Sequence, residues 1–323
     1  MVNLFNIENH IIDTSKFNHV LHDNCVKEFE NTIANYVGAK YACGVSSATN
    51  AIYLAMSKHN HWPTVVEIPS MIPPVVANAI ITSNHKVDFK DDVDWVGDSY
   101  ILKHFTMWGE EKDYKIIDSA QKLEKNQFKK EANDEDLMIF SFYPTKPVGS
   151  IDGGMVVSND KEKIDWFREA TLNGMGWANN NWERTIKFPG WKMYLNSTQA
   201  YVANENFKKY SRKLEILKRI KKYYNDQFGY NNTSNHLYRV KVKNNKEVLK
   251  KLKNKGIVTG IHYKCLHNHP VYNYKFNKMQ FHHEGKFRKS ELEEQQTLSI
   301  PFHEGLNHWD IENVVKNVKK YII

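Results

Sequence analysis

The sequence predicts an α/β protein built around a largely parallel or mixed sheet, and three observations carry that expectation. Short apolar runs alternate with segments whose apolar residues recur at three- or four-residue spacing, the signature of strands interleaved with amphipathic helices. Glycine, serine, asparagine and aspartate mark the ends of these segments, where turns and caps need them. At 323 residues and 41% hydrophobic content, the chain is long enough to bury a large sheet and still supply a second, smaller unit.

The elements follow in chain order. "DNCVKEFENTIANYVGA" sets Val26, Phe29, Ile33 and Tyr36 or Val37 on one helical face and stops at Gly38. "KYACGVSS" reads as a short buried strand, and "ATNAIYLAMSKHN" as a helix opened by a Ser and Thr cluster. Strands are expected at "TVVEIPS", "HKVDFK", "KIIDS", "DLMIFSF" and "GGMVVSN", with helices at "VVANAIITS" and "KEKIDWFREATLN". In "FKKYSRKLEILKRIKKYYNDQF" the residues Phe207, Tyr210, Leu214, Leu217, Ile220 and Tyr224 share one face of an amphipathic helix. Beyond it, "HLYRVKVK", "NKEVLKKLKNKGI" and "DIENVVKNVKKYI" give strand, helix and helix. The expected division is a large domain at 1–210 and a small C-terminal α+β domain at 211–323, joined by a long helix over about 197–228. No internal repeat is present.

Charge and cysteine usage narrow the function classes. The formal charge of +8, from 45 basic and 37 acidic residues, suits an anionic partner. The basic helix is read as a solvated face, because no zinc-finger, helix-turn-helix or RNA-recognition signature accompanies it; nucleic acid is not an expected partner, whereas phosphorylated small molecules remain open. Cys25, Cys43 and Cys265 are isolated and form no C-x-x-C pair, so they read as packing residues. No leader-like or bilayer-spanning run is seen, and a cytoplasmic protein without membrane attachment is expected. "HYKCLHNHP" (His262, Cys265, His267, His269) and "FHHEG" (His282, His283, Glu284) match no zinc spacing, so no metal site is expected.

Chemistry concentrates at strand ends, where open α/β sheets gather ligand groups. In "GVSSATNAI", Ser47, Ala48 and Thr49 lie between a strand and a helix; free N–H groups and hydroxyls there suit a phosphate, and equally an ordinary N-cap. Asp118 ends the apolar "YKIID" run and either caps a turn or pairs with a buried cation. "SFYPTKPVGSIDGG" places Lys146 in a stiff turn before a glycine pair. It lacks the Gly-Lys-Ser/Thr order of a nucleotide phosphate loop. A lysine in a partly dry pocket has a lowered pKa and can attack a carbonyl. With a phosphate nest, a carboxylate for a pyridinium nitrogen and a close-packed glycine turn as companions, these are the requirements of pyridoxal phosphate. Trp177, Trp182 and Arg184 in "GWANNNWERTIKFPGW" form an aromatic and basic loop that can stack a base or sugar, or staple a domain interface.

In order, "FENTIANYVGAKYACGVSSAT", "IIDSAQ", "SFYPTKPVGSIDGGMVVSND", "GIVTGIHYKCLHNHPVY" and "LSIPFHEGL" resemble the DegT/DnrJ/EryC1/StrS family of sugar aminotransferases over most of the chain. The resemblance implies the fold type I architecture of pyridoxal phosphate enzymes, a homodimer with shared active sites, and transfer of an amino group from glutamate to a nucleotide-linked keto sugar in glycan or O-antigen-type sugar biosynthesis. It further implies that Lys146 forms the internal aldimine and later moves the proton, that Asp118 pairs with the pyridinium nitrogen, and that Gln121 approaches the ring hydroxyl or ring face. Ala48, Thr49 and Ser141, with Ser47 assisting, would hold the phosphate, and His262 and Tyr263 would lie near the substrate. Lys192 in "GWKMY" stands where an Asn of the neighbouring subunit touches the phosphate in the family.

Two further positions depart from the family pattern. Pro73 in "IPSMIPPVV" replaces the aromatic that stacks on the cofactor ring, and Thr106 in "TMWG" replaces a histidine, in a segment that looks shortened. Two alternatives accompany the aminotransferase reading. The related sugar dehydratases carry His at the lysine position, so Lys146 argues against that branch. A binding or regulatory protein on the same scaffold would need no joint retention of Lys146, Asp118 and Gln121.

Overall fold

A computed structural model describes residues 1–58, 63–106, 108–176, 183–272 and 287–323. In chain order its elements begin with α1 (Asn24–Val37), β1 (Tyr41–Val45), α2 (Ala48–Ser57), β2 (Val65–Pro69), α3 (Pro74–Thr82), β3 (Lys86–Lys90), β4 (Tyr100–Phe105) and β5 (Ile116–Asp118). There follow α4 (Gln127–Glu131), β6 (Leu137–Ser141), β7 (Gly154–Ser158), α5 (Lys161–Thr171), α6 (Ser197–Lys208) and α7 (Tyr210–Phe228). The chain then forms β8 (Tyr238–Lys241), α8 (Asn245–Lys253), α9 (Arg288–Gln296), β9 (Thr297–Ile300) and α10 (His308–Val318).

Strands β1 to β7 form one mixed sheet in the order β1-β7-β6-β5-β4-β2-β3. Its central strands are buried on both faces, and the period of two sorts their side chains between two apolar layers. Cys43, Val45, Ile139 and Val156 pack with α2, α3 and α5. Ala42, Met138, Phe140, Met155 and Val157 face the other way and pack with α1 and α6. The result is a three-layer sandwich. Helix α1 starts where the Asp23 carboxylate accepts the Cys25 N–H, and stops at Gly38, whose φ of 81° suits glycine.

β4 was not expected from the sequence, and its direction matters for the site. The chain turns from β4 to β5 through a tight reversal in which Thr106 N–H donates to Glu110 O and Lys112 N–H donates to His104 O. So short a connection cannot carry the crossover that parallel strands need. β4 therefore runs antiparallel to both β5 and β2, and its first residue, Tyr100, lies opposite Asp118.

A second apolar cluster gathers β8 and β9, an antiparallel pair with Tyr238 opposite Ile300, against α7, α8 and α10. Val2 joins it: Val2 N–H donates to Gly256 O (2.7 Å), and Val258 N–H donates to Val2 O (2.9 Å). The helix expected over about 197–228 is two helices, α6 and α7, meeting at Lys209. α7 buries Tyr210, Leu217, Ile220 and Tyr224 as the spacing predicts. α4, α9 and β9 are further elements the sequence pattern did not single out. No helix among the described residues is long and apolar enough to cross a membrane.

Candidate active site

The C-terminal ends of β1, β5 and β6 open onto one cavity of about 490 Å³. Ser47, Ala48, Thr49 and Ser141 are part of its lining, and so are Asp118, Gln121, Lys146, His262 and Tyr263. Residues scattered from 47 to 263 in sequence are thus brought together.

The first end is built by three segments that meet at Gly154. This residue opens β7, pairs with Val45 on one side and Ser141 on the other, and has no Cβ because the start of α2 lies against it. A Cβ there would stand 2.5 Å from Ala48 N and 2.6 Å from Ser47 C. Ser47 is extended and caps α2, its Oγ accepting the Asn50 N–H at 3.1 Å. The cap is what the structure shows; it leaves the ligand reading open, because the hydroxyl that accepts there keeps its own proton to donate. The first N–H groups of α2 have no intrahelical acceptor and favour an anion.

Lys146 sits on a loop tied at several points. Its N–H donates to Tyr143 O, Phe142 N–H donates to Gly153 O, and Ser150 N–H donates to Phe142 O. Ser150 Oγ donates to Gln199 O and Asn206 Nδ2 donates to Gly149 O, which anchors the turn to α6. A Cβ at Gly149 would meet Pro144 O at 2.4 Å, so the turn closes only around glycine. The side chain is partly exposed because it faces the cavity, yet its amine is crowded by protein. This desolvation holds the amine below the usual lysine range, against the opposing pull of Asp118.

Asp118 is the last residue of β5 and is 3% exposed. Its Oδ1 accepts the Ala120 N–H at 2.8 Å and its Oδ2 accepts the Tyr100 hydroxyl at 2.5 Å. Burial pushes its carboxyl up; the Tyr100 and Ala120 donors and the Lys146 charge oppose that. Gln121 is clamped, with Oε1 accepting the Gly97 N–H (2.9 Å) and Nε2 donating to Tyr263 Oη (3.2 Å). His262 Nδ1 lies 2.9 Å from Ser299 Oγ, and burial pushes its imidazole down to about 4.

Pro73 does line the cavity, so no aromatic stands at that position. Aromatic surface comes from other segments: Phe5, Trp95, Tyr100, Tyr143 and Tyr263. Trp95 lies parallel to Tyr263 (5.9 Å between ring centres, 6° between planes) and edge-on to Tyr100. Phe5 stacks on His236, a 6% exposed histidine whose imidazole is held well below its usual range by burial and the nearby Lys146 charge. Trp95, Tyr100, Asp152 and His236 were missed in the sequence. Asp152, between the Lys146 turn and the glycine pair, was the one with a local signal.

Lys192 and Arg184 lie elsewhere on this chain. Lys192 is exposed, in a bridge with Leu172, and both charges bear on His22. Trp177 and Trp182 fall outside the described residues, as do His282, His283 and Glu284. Among the described residues no three His, Cys, Asp or Glu side chains gather as metal ligands. His267 instead bridges the fully buried Ser70 (2.5 Å) and Glu291. Thr106 ends up in the reversal after β4, at the end remote from Asp118.

The model of the DegT/DnrJ/EryC1/StrS aminotransferase family matches residues 6–106 and 71–319. The UDP-4-amino-4,6-dideoxy-N-acetyl-beta-L-altrosamine transaminase of Campylobacter jejuni is 25% identical, with 91% of each chain covered. Among solved structures, the aminotransferase TlmJ from Streptoalloteichus hindustanus superposes with a TM-score of 0.80 at 20% identity, covering 99% of this chain and 98% of that one. The putative sugar aminotransferase Spr1654 from Streptococcus pneumoniae, solved in its PLP-form, gives 0.77 at 16% identity, covering 99% and 98%. A mixed α/β sheet with this cavity and a family match across nearly the whole length lead to one conclusion: the chain belongs to the DegT/DnrJ/EryC1/StrS aminotransferase family.

Proposed function

We propose that the protein is a pyridoxal phosphate-dependent aminotransferase that moves an amino group from glutamate to a nucleotide-linked keto sugar. The observation that carries this reading is the convergence, in one cavity, of a desolvated lysine, a buried carboxylate and a helix start. The donor set fits the cofactor: the α2 N-terminus with Ser47, Thr49 and Ser141 suits its phosphate, and the missing Cβ at Gly154 allows the close approach that shapes this cradle. Asp118 suits the ring nitrogen, and Gln121 the ring hydroxyl or face.

When bound, pyridoxal phosphate supplies an aldehyde carbon for condensation with amines and a cationic ring that accepts electrons. Lys146 Nζ would be the group that holds it and, as a free amine, would be the base that moves the proton at the substrate's α-carbon. Its lowered basicity favours the neutral amine that both tasks require. Asp118 would face the ring nitrogen and, as a carboxylate, favour a proton there through charge. His262 and Tyr263, which line the cavity beside Gln121, would bind and orient the acceptor sugar. Covering the aromatic walls with substrate excludes water from Lys146.

The protein is further proposed to act as a cytoplasmic homodimer, in which Lys192 serves the partner's site from across the interface; Trp177 and Arg184 remain candidates for binding the nucleotide-linked sugar. Lys192's placement outside the cavity of its own chain supports that arrangement. A division at about residue 210 is supported by the separate apolar cluster around β8 and β9.

The test is to reconstitute the purified protein with pyridoxal phosphate and add glutamate. The expected result is loss of the visible band of the lysine-bound cofactor with release of 2-oxoglutarate. The sugar side is tested in reverse, with UDP-4-amino-4,6-dideoxy-N-acetyl-β-L-altrosamine as amino donor. If no amino acid and no amino sugar nucleotide converts the bound cofactor, the aminotransferase reading fails.

A further inference from the structure

We propose that Tyr100 is a positioning residue for the cofactor's ring nitrogen, acting through Asp118. Its hydroxyl holds the carboxylate as an oriented acceptor, so that the shared proton stays on the ring. The inference rests on the reading of the cavity as a pyridoxal phosphate site.

The direction of β4 puts Tyr100 in place. Because β4 and β5 are joined by a tight reversal, the first residue of β4, rather than its last, stands at the edge of the sheet where the cavity opens. Residues directly opposite in an antiparallel pair project to the same face, so Tyr100 and Asp118 point the same way. The phenol reaches Asp118 Oδ2 at 2.5 Å while Ala120 N–H fills one site on Oδ1. An ionised carboxylate accepts about four hydrogen bonds, so two donors from the protein leave room for a ring N–H. Trp95 fixes the Tyr100 ring by an edge contact at 4.6 Å between centres, so the hydroxyl is aimed rather than free to rotate away.

The electrostatic consequence follows from burial. A carboxylate with so little exposure has a raised affinity for protons and competes with a pyridine nitrogen for the one they share. The groups bearing on it are the Tyr100 hydroxyl from β4, the Ala120 N–H, the Lys146 amine from the loop with whatever positive charge it carries, and the Tyr263 phenol across the cavity. Of the two phenols, Tyr100 is the one that donates a hydrogen bond to the carboxylate, whereas the Tyr263 oxygen accepts from Gln121. Burial and Asp118 itself hold its proton well above the usual tyrosine range, so it donates at every working pH.

The experiment is Tyr100→Phe, which keeps the ring against Trp95 and removes the hydroxyl. The expected variant still forms a borohydride-trappable link to pyridoxal phosphate. Its apoprotein, titrated by tryptophan fluorescence, shows a Kd about tenfold higher. The pH midpoint of the bound cofactor's visible absorption rises by about one unit, because a proton moved to Asp118 leaves the ring less electron-withdrawing and the lysine-bound nitrogen more basic. In an Asp118→Asn background the same substitution makes no further change. Site-specific 3-fluorotyrosine at position 100, a stronger donor, moves the midpoint the other way. A wild-type midpoint and Kd in Tyr100→Phe, or an equal shift in the Asp118→Asn background, overturns the role of Tyr100 and leaves the cofactor reading intact. A parent protein that forms no trappable link overturns both.

Discussion

Gly154→Ala is the substitution whose effect can be worked out most closely from the structure. The new methyl would stand 2.5 Å from Ala48 N, 2.6 Å from Ser47 C and 2.9 Å from Ala48 Cα, all backbone. Reaching ordinary contact at 3.4 Å requires a retreat of about 0.9 Å. β7 cannot supply it, because Gly154 is paired with Val45 on one side and Ser141 on the other. The first turn of α2 must therefore move, and with it the N–H groups proposed to face the phosphate. Overpacking of this kind costs about 1–3 kcal/mol of stability. Displacing one charge-assisted hydrogen bond costs about 1.5–3 kcal/mol of binding, or at least about tenfold in Kd. The assay compares pyridoxal phosphate with pyridoxal, which lacks the phosphate, on the apoprotein, alongside thermal unfolding. The expected variant is folded, weakened toward pyridoxal phosphate and little changed toward pyridoxal. An unchanged Kd for pyridoxal phosphate, or an equal loss for both ligands, would refute the reasoning.

Two further outcomes are expected. Lys146→Ala abolishes the borohydride-reducible bond to the cofactor while leaving non-covalent binding through the phosphate end; a persisting covalent bond would show that another lysine carries it. His104 and His262 are both pushed to about 4 by burial, from an ordinary value of 6.5. As pH falls through this window the unfolded chain takes up protons and the folded one does not, so stability is lost between about pH 6.5 and pH 4. The loss is roughly 1 kcal/mol per group by pH 5.5. Thermal unfolding against pH checks this: His104→Gln is expected to approach the parent as pH falls, and a pH-independent difference between them would count against the assignment.

The family resemblance rested on local stretches, and the cavity shows why those were legible. Ser47 to Thr49, Asp118 and Lys146 each lie in a few consecutive residues whose chemistry is set by a strand end, a helix start or a turn. Asp118 stands out because a carboxylate directly after two buried isoleucines needs partners, and it has them in the Ala120 N–H that it caps and the Tyr100 hydroxyl. Tyr100 and Trp95 gave no comparable signal. Their role depends on the direction of β4, which is decided by a missing crossover rather than by any residue in the strand. Pro73 shows the same limit from the other side. It marks correctly where an aromatic is absent, but the aromatics that do line the cavity come from residues 5, 95, 100, 143 and 263, and no spacing joins them. The break between α6 and α7 was likewise hidden, since Lys209 interrupts neither the charge pattern nor the apolar stripe.

The pairing of Val2 with the 256–258 segment bears on the order in which the molecule is completed during synthesis. Roughly 250 residues must leave the ribosome before Val2 can find its partner, a loop closure of high contact order. The sheet of β1 to β7 can assemble well before that. Phe5, three residues after Val2, and His262, four residues after Val258, flank this pairing, and both line the cavity. On the proposed reading, the lysine turn and the start of α2 can come together with the sheet, bringing Trp95, Tyr100 and Tyr143 with them, while Phe5 and Tyr263 close the remaining side of the cavity afterwards.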